Sequence, residues 1–152
     1  IMANYRSLGI SDAPFKLGGS GSINAYRTVA PGSVAGELIV AVGPSGNPWP
    51  VGIVQEAASP GQEIPVRVLG FSKALVRANA CSLRWCAWLQ CASDGFLEPL
   101  ATEAGGTVLL PLSSSHVFAR YMDSGTVSSG SALAQVQIFP LPLATCGVMG
   151  AS

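Results

Sequence analysis

Short apolar segments separated by glycine and proline make up most of the chain after residue 22. Apolar and polar side chains alternate in residues 64–68 and again in residues 134–138, where Gln135 and Gln137 fall on one face. A period of two is typical of a strand that buries one face. The 18 glycines and 11 prolines favour turns and interrupt helices. The pattern therefore predicts a mainly β domain, with a small β-barrel or β-sandwich-like fold.

Strands are predicted where an apolar run is bounded by turn-forming residues. The predicted strands cover residues 23–29, 37–43, 51–57, 63–69, 73–77, 83–90, 107–112 and 134–139. A helical turn is compatible with the sequence only at residues 116–123.

One arrangement of these segments occurs twice. Residues 51–57 lead through Gly61 to the alternating residues 64–68, and residues 117–123 lead through Gly130 to residues 134–138. Each copy reads as an apolar segment, a turn that contains glycine, and a strand with one buried face. The sequence therefore predicts two similar β-hairpins in one domain.

The first 22 residues have a different character and are predicted to form an extended, flexible arm. The arm ends in Gly-Gly-Ser-Gly-Ser at residues 18–22, a flexible linker composition. Its apolar residues are spaced too irregularly for a helix, and such a segment can become ordered on a partner. They are Tyr5, Leu8, Ile10 and Phe15. The predicted organisation is therefore an arm at residues 1–22 and a β-rich domain at residues 23–152.

Composition changes the picture by pointing to a covered surface. Charged residues make up 11% of the chain and hydrophobic residues 49%, with a mean hydropathy of +0.44, whereas about 25% charged residues is usual. No apolar run approaches the roughly 20 residues of a spanning helix, and no export signal precedes the first strand. We therefore expect a protein made in the cytoplasm whose surface is largely covered by other subunits. The eight basic residues are scattered singly, so direct nucleic-acid binding is not expected.

The cysteines and the single histidine are the candidate catalytic and metal-binding residues, and their spacing favours ordinary structural roles. Cys81, Cys86 and Cys91 recur every five residues, whereas zinc-binding cysteines are usually two to four residues apart. A Cys–His pair would use His116. Arg84 lies near Cys86 in the sequence, but on a strand the two at best share a face, and no further element marks an activated thiol. Buried, reduced thiols are therefore the expected state of all four cysteines, including Cys146. No catalytic residue, metal site or cofactor is predicted.

The tryptophans indicate a contact surface. If residues 83–90 form one strand, Trp85 and Trp88 point to opposite faces. Trp49 lies between two prolines and is expected to be exposed. Tryptophan is enriched at protein interfaces, so Trp49 and Trp88 are candidates for contact with a partner protein or with further subunits. The alternative is a carbohydrate- or surface-binding β-module that uses these rings.

Residues 51–70 resemble the central hairpin of the capsid decoration proteins of tailed bacteriophages, which are also called head-stabilising or cement proteins. The resemblance extends to Val29-Ala30-Pro31-Gly32 before this hairpin and to Ser93-Asp94-Gly95-Phe96 after it, and it covers about residues 23–140. It implies a β-tulip type of domain that sits, commonly as a homotrimer, on the exterior of the phage head and stabilises the capsid. It also implies that the N-terminal arm reaches the major capsid protein, and that the protein has no enzymatic activity.

Overall fold

The computed structural model of the protein describes residues 11–40, 50–78, 82–92, 94–99 and 117–138, which form an all-β structure. The strands are β1 Ser11–Leu17, β2 Thr28–Pro31, β3 Glu37–Val40, β4 Gly52–Val54, β5 Glu63–Arg77, β6 Trp88–Cys91, β7 Leu97–Pro99, β8 Val117–Tyr121 and β9 Ser131–Ile138. This confirms the predicted fold class. No helix among the described residues is long and apolar enough to span a membrane.

The strands form two closed five-stranded barrels that share β5. In the first barrel the order is β1-β3-β2-β4-β5, and pairing of β5 with β1 closes the ring. In the second barrel the order is β5-β7-β6-β8-β9, and pairing of β5 with β9 closes it. Closure leaves no free sheet edge around either ring, so every strand pairs on both sides.

Each barrel encloses its own core, because alternate side chains along β5 point inward throughout its length. Ile64 and Val66 enter the first core, and Ala74 and Val76 enter the second. Gly70, with a φ of 92°, lies where β5 passes from one barrel to the other, and this left-handed backbone favours glycine. The remaining buried residues of the first core are Leu17, Ile23, Val29, Leu38 and Val54.

The two barrels repeat one connectivity and one register. β1 pairs with β3 in parallel through Leu17 and Leu38, and β5 pairs with β7 in parallel through Val76 and Leu97. All four side chains are buried at corresponding positions. The predicted pair of similar hairpins is confirmed as β4–β5 in the first barrel and β8–β9 in the second.

An unusual backbone conformation is also repeated. Tyr26 has a φ of 67° and Cys86 a φ of 65°, which is uncommon for residues other than glycine. The N–H of Tyr26 donates to Val54 O (2.7 Å), and the N–H of Cys86 donates to Tyr121 O (2.9 Å). These hydrogen bonds hold the same turn at the start of β2 and of β6.

Several predicted boundaries are corrected by these pairings. Predicted strands 63–69 and 73–77 are one strand, because β5 continues through Gly70. Predicted strands 23–29 and 83–90 begin late, at residues 28 and 88, because a left-handed residue precedes each. Residues 116–123, the only place where the sequence is compatible with a helical turn, instead contain strand β8, since Val117–Tyr121 pairs with both β6 and β9. Predicted strand 107–112 lies outside the described residues.

The flexible arm predicted for residues 1–22 needs a correction in its second part. Residues 11–17 form β1, and Leu17 is 1% exposed. Phe15 packs against the same core, and Asp12 on the outer side pairs with Arg67 (2.7 Å). The apolar residues of this part therefore alternate as a strand requires, and the sheet fixes them. Residues 1–10 of the predicted arm lie outside the described residues.

Replacing Val66 by Ala tests whether the shared strand couples the two barrels. Val66 is fully buried in the first core, so loss of two methyl groups should lower the free energy of unfolding by about 2 kcal/mol. Because β5 is continuous, we expect both barrels to unfold in one transition with a lower urea midpoint.

The measurement compares circular dichroism with tryptophan fluorescence in a Trp49→Phe background. The two remaining tryptophans, Trp85 and Trp88, belong to the second barrel. A fluorescence midpoint that stays at the wild-type value while the circular dichroism midpoint falls would show that the barrels unfold separately.

The surroundings of Tyr121 predict that the protein is less stable to unfolding in alkaline solution. Its ring is buried in the second core, and its hydroxyl donates to Gly125 O (2.7 Å). Burial raises the pKa of Tyr121, and the charge of Asp123 raises it further. The unfolded phenol therefore ionises first, near pH 10, and the contribution of Tyr121 to stability is lost as the pH rises through and above that value.

The variant Tyr121→Phe isolates this effect. At neutral pH we expect the variant to be less stable by about 1 kcal/mol, because the hydrogen bond is lost. The difference should shrink above about pH 10, where only the wild type carries this titration. Denaturant titrations at several pH values measure it, and a difference that stays constant to high pH would contradict the assignment.

Candidate interaction surface

The two barrels meet at a surface of the first barrel that we call the covered face. It is formed by Thr28 and Ala30 of β2 and Ile53 of β4, whose side chains point out of the first barrel. They are nevertheless 0%, 2% and 0% exposed, and Ala30 and Ile53 join the core of the second barrel. The second barrel therefore buries an outer surface of the first.

A turn of the second barrel, described at Ala92 and at residues 94–96, lies against this covered face, and we call it the Gly95 turn. The N–H of Thr28 donates to Gly95 O (2.9 Å), and Arg27 Nη1 donates to Asp94 O (2.8 Å). A Cβ atom on Gly95 would lie 3.0 Å from Thr28 O and 3.0 Å from a methyl carbon of Val40. This close approach of backbone to backbone requires glycine at the turn.

Charged and aromatic groups complete the junction. The Phe96 ring lies between two guanidinium groups, 5.0 Å from Arg27 and 5.1 Å from Arg77, a distance at which cation–π attraction operates. Arg77 also pairs with Asp94 (3.1 Å) and Glu98 (3.5 Å). Together these contacts tie β2 of the first barrel to β5, the turn and β7 of the second.

The second barrel carries an equivalent surface, which we call the open face. Trp88 and Gln90 of β6 and Arg120 of β8 occupy the positions that Thr28, Ala30 and Ile53 occupy on the covered face. These three residues are partly exposed instead of buried. The Arg120 guanidinium lies over the Trp88 ring at 4.6 Å, and Trp85 nearby in the chain is 60% exposed.

The first barrel likewise carries an equivalent of the Gly95 turn at residues 32–36, which we call the open turn. It joins β2 to β3 just as the Gly95 turn follows β6 and precedes β7. Gly36 has a φ of 85°, close to the 80° of Gly95, but a Cβ atom on Gly36 would meet nothing within 4 Å. Val34 in this turn is 56% exposed.

The open face contains one of the predicted contact residues, Trp88. Phe15 is in β1, partly buried against the first core, so a part in capsid binding stays a prediction. Trp85 and Trp88 do not share one strand, because Trp85 lies in the turn before β6. The other predicted contact residues lie outside the described residues. They are Tyr5, Leu8, Ile10 and Trp49.

Sequence reasoning missed Arg120 and Val34. Each is ordinary in its local sequence, and its position becomes informative only when the two barrels are compared. The repeated hairpin was the signal that could have led to this comparison, because Arg120 lies within its second copy and Ile53 within its first.

The two cysteines among the described residues that are free thiols, Cys86 and Cys91, are partly buried and buried respectively. Cys91 is buried in the second core, and its Sγ donates to Ala92 O (3.4 Å). Cys86 is partly buried at the left-handed turn. Among the residues that the structure describes, no group of three potential ligands could hold a metal ion. Cys81, Cys146 and His116 lie outside these residues.

Comparison with known structures finds this fold in a phage head protein. The chain is similar to the N base of head fiber gp8.5 of bacteriophage phi29, with a TM-score of 0.55 and 15% sequence identity. The match covers 87% of this chain and 98% of that chain. At this identity the similarity concerns the fold. No protein-family model and no curated protein sequence matches the chain.

The two equivalent glycines allow a matched test of the barrel junction. Gly36→Ala and Gly95→Ala each place alanine at a positive φ, which costs about 1–2 kcal/mol. Gly95→Ala should cost about 1–3 kcal/mol more, because its methyl group also crowds Thr28 O. Denaturant titrations give both values. Equal losses in the two variants would show that the turn does not press on the covered face.

Proposed function

We propose that this protein is a structural component of a tailed-phage virion, which binds the exterior of the head and stabilises the capsid lattice. Its partners in this role are the major capsid protein and further copies of itself in a homotrimer. The fold shared with the base of a phage head fiber, over 98% of that chain, carries the proposal. No enzymatic reaction is part of it.

The composition supports this role on independent grounds. A chain with 11% charged residues has few groups with which to keep a free surface dispersed in water. Contact with a capsid and with further subunits covers such a surface. A protein that binds only the assembled lattice stabilises that lattice by mass action.

The position of the arm in the chain supports the proposed role. Tyr5, Leu8 and Ile10 precede β1, so their segment is attached to the closed first barrel and can reach a neighbouring subunit. Several weak contacts that are linked in this way strengthen one another, because each later contact forms at a high effective concentration.

The alternative function, carbohydrate binding by the tryptophans, has less support. Arg120 lies over the Trp88 ring at 4.6 Å, so one face of that ring is already in contact with protein. Trp85 is exposed in a turn, and Trp49, the other ring of this alternative, lies outside the described residues. A glycan array tests this alternative, and saturable sugar binding would favour it over capsid binding.

Removal of residues 1–10 tests the proposed role of the arm. The truncation leaves β1 intact, so we expect the barrels to stay folded while affinity for capsids falls by about a hundredfold or more, as avidity is lost. Heads of the parent phage, assembled without this protein, are mixed with each variant and sedimented. The resistance of the decorated heads to heat is measured in parallel.

The control is removal of residues 1–22, which also removes β1. That variant should lose the fold of the first barrel, because β1 closes it and Leu17 fills its core. Full affinity of the shorter truncation would remove the arm from the binding site. If the intact protein neither sediments with heads nor raises their heat resistance, the proposed function is wrong.

A further inference from the structure

We propose that copies of this chain associate head to tail, with the open turn of one copy docked on the open face of the next. The contact would reproduce between chains the junction that joins the two barrels within a chain. In that junction the Gly95 turn bonds to Thr28, while Ala30 and Ile53 join the core of the second barrel. Between chains, the turn at residues 32–36 would pack on Trp88, Gln90 and Arg120.

The first argument is the equivalence of the two faces. β2 pairs with β4 through Thr28 and Ile53, and β6 pairs with β8 through Trp88 and Arg120. The strand pairs therefore present the same geometry outward. The covered face of the first barrel is buried by the second barrel, so a barrel of this fold can pack on a surface of this geometry. A further barrel of the same fold, which a second copy supplies, is therefore the proposed occupant of the other face.

The second argument is the complementary position of the two open elements. The open turn belongs to the first barrel and the open face to the second. Each chain therefore presents one of each, and the described residues use neither to join the two barrels. A contact between unlike surfaces is heterologous, so it continues from copy to copy until a ring closes. A ring of three agrees with the proposed homotrimer.

The third argument is the chemistry of the exposed residues. Val34 at the open turn is 56% exposed and Trp85 beside the open face is 60% exposed, and both are large apolar side chains. Tryptophan and arginine, which form the open face, are the residue types that most often dominate interface energy.

This inference deepens the self-association in the proposed function and rests on it for the size of the ring. It concerns contact between copies without a capsid, so the experiment uses the intact purified protein alone. Failure of capsid binding therefore leaves this test unaffected, and failure of this test leaves capsid binding to be measured as described.

The experiment uses two single variants, Val34→Asp and Trp85→Asp, and sedimentation velocity over a range of concentrations. Both side chains are exposed, so the fold should survive, which thermal circular dichroism checks. Each variant alone should associate about thirtyfold more weakly than the wild type, as expected when a central contact is lost. Leu133→Ser is the control variant, because Leu133 lies on β9 and is 47% exposed. This variant should associate like the wild type.

Mixing the two variants distinguishes head-to-tail contact from other arrangements. The intact turn of Trp85→Asp should bind the intact face of Val34→Asp, so the mixture should form a one-to-one dimer at concentrations where each variant alone is mostly monomeric. If like surfaces met instead, one variant would keep its association and mixing would restore nothing. Either that result or a wild-type protein that is monomeric at all concentrations, with the open face covered by its own chain, would overturn the inference.

Discussion

The hydrogen bonding of β5 on both sides is the interaction on which the rest of the structure depends. Its first half closes one barrel against β1, and its second half closes the next against β9. Neither ring can form without it, and neither core is enclosed until its ring closes. The same continuity fixes the orientation of the barrels, so the Gly95 turn meets the covered face. The fold is therefore two cores built on one strand.

The two barrels share one backbone arrangement, but their outer faces carry different side chains. Both barrels have the same connectivity and the same left-handed turn before their second strand. One outer face is lined by Thr28, Ala30 and Ile53, which suit burial, and the other by Trp88, Gln90 and Arg120. Backbone geometry is thus kept while side-chain chemistry differs according to what each face contacts. The side chains of the open face combine apolar and charged groups, as interfaces between proteins do.

Much of the fold could be predicted from the sequence where the signal is local. Alternation at residues 64–68 and 134–138 identified strands and their buried faces correctly, and the repeated hairpin identified half of each barrel. Closure of the barrels could not be predicted, because it depends on pairing between residues far apart in the chain, such as Phe15 with Ile64. The turns at Tyr26 and Cys86 were missed because neither residue type signals a positive φ. Trp88 was identified by residue type alone, whereas the importance of Arg120 follows from its position opposite Trp88.

The length of β5 has a mechanical consequence. Fifteen residues of strand have a contour length of about 50 Å, and the strand runs from one barrel into the other through the left-handed residue Gly70. A tensile load applied along it acts in shear on both flanking ladders, so many hydrogen bonds must break together before the strand slides. A load that pulls the barrels apart across their junction instead meets the contacts of the covered face one after another. The molecule is therefore stiffest along the axis of β5 and weakest where one barrel can peel from the other.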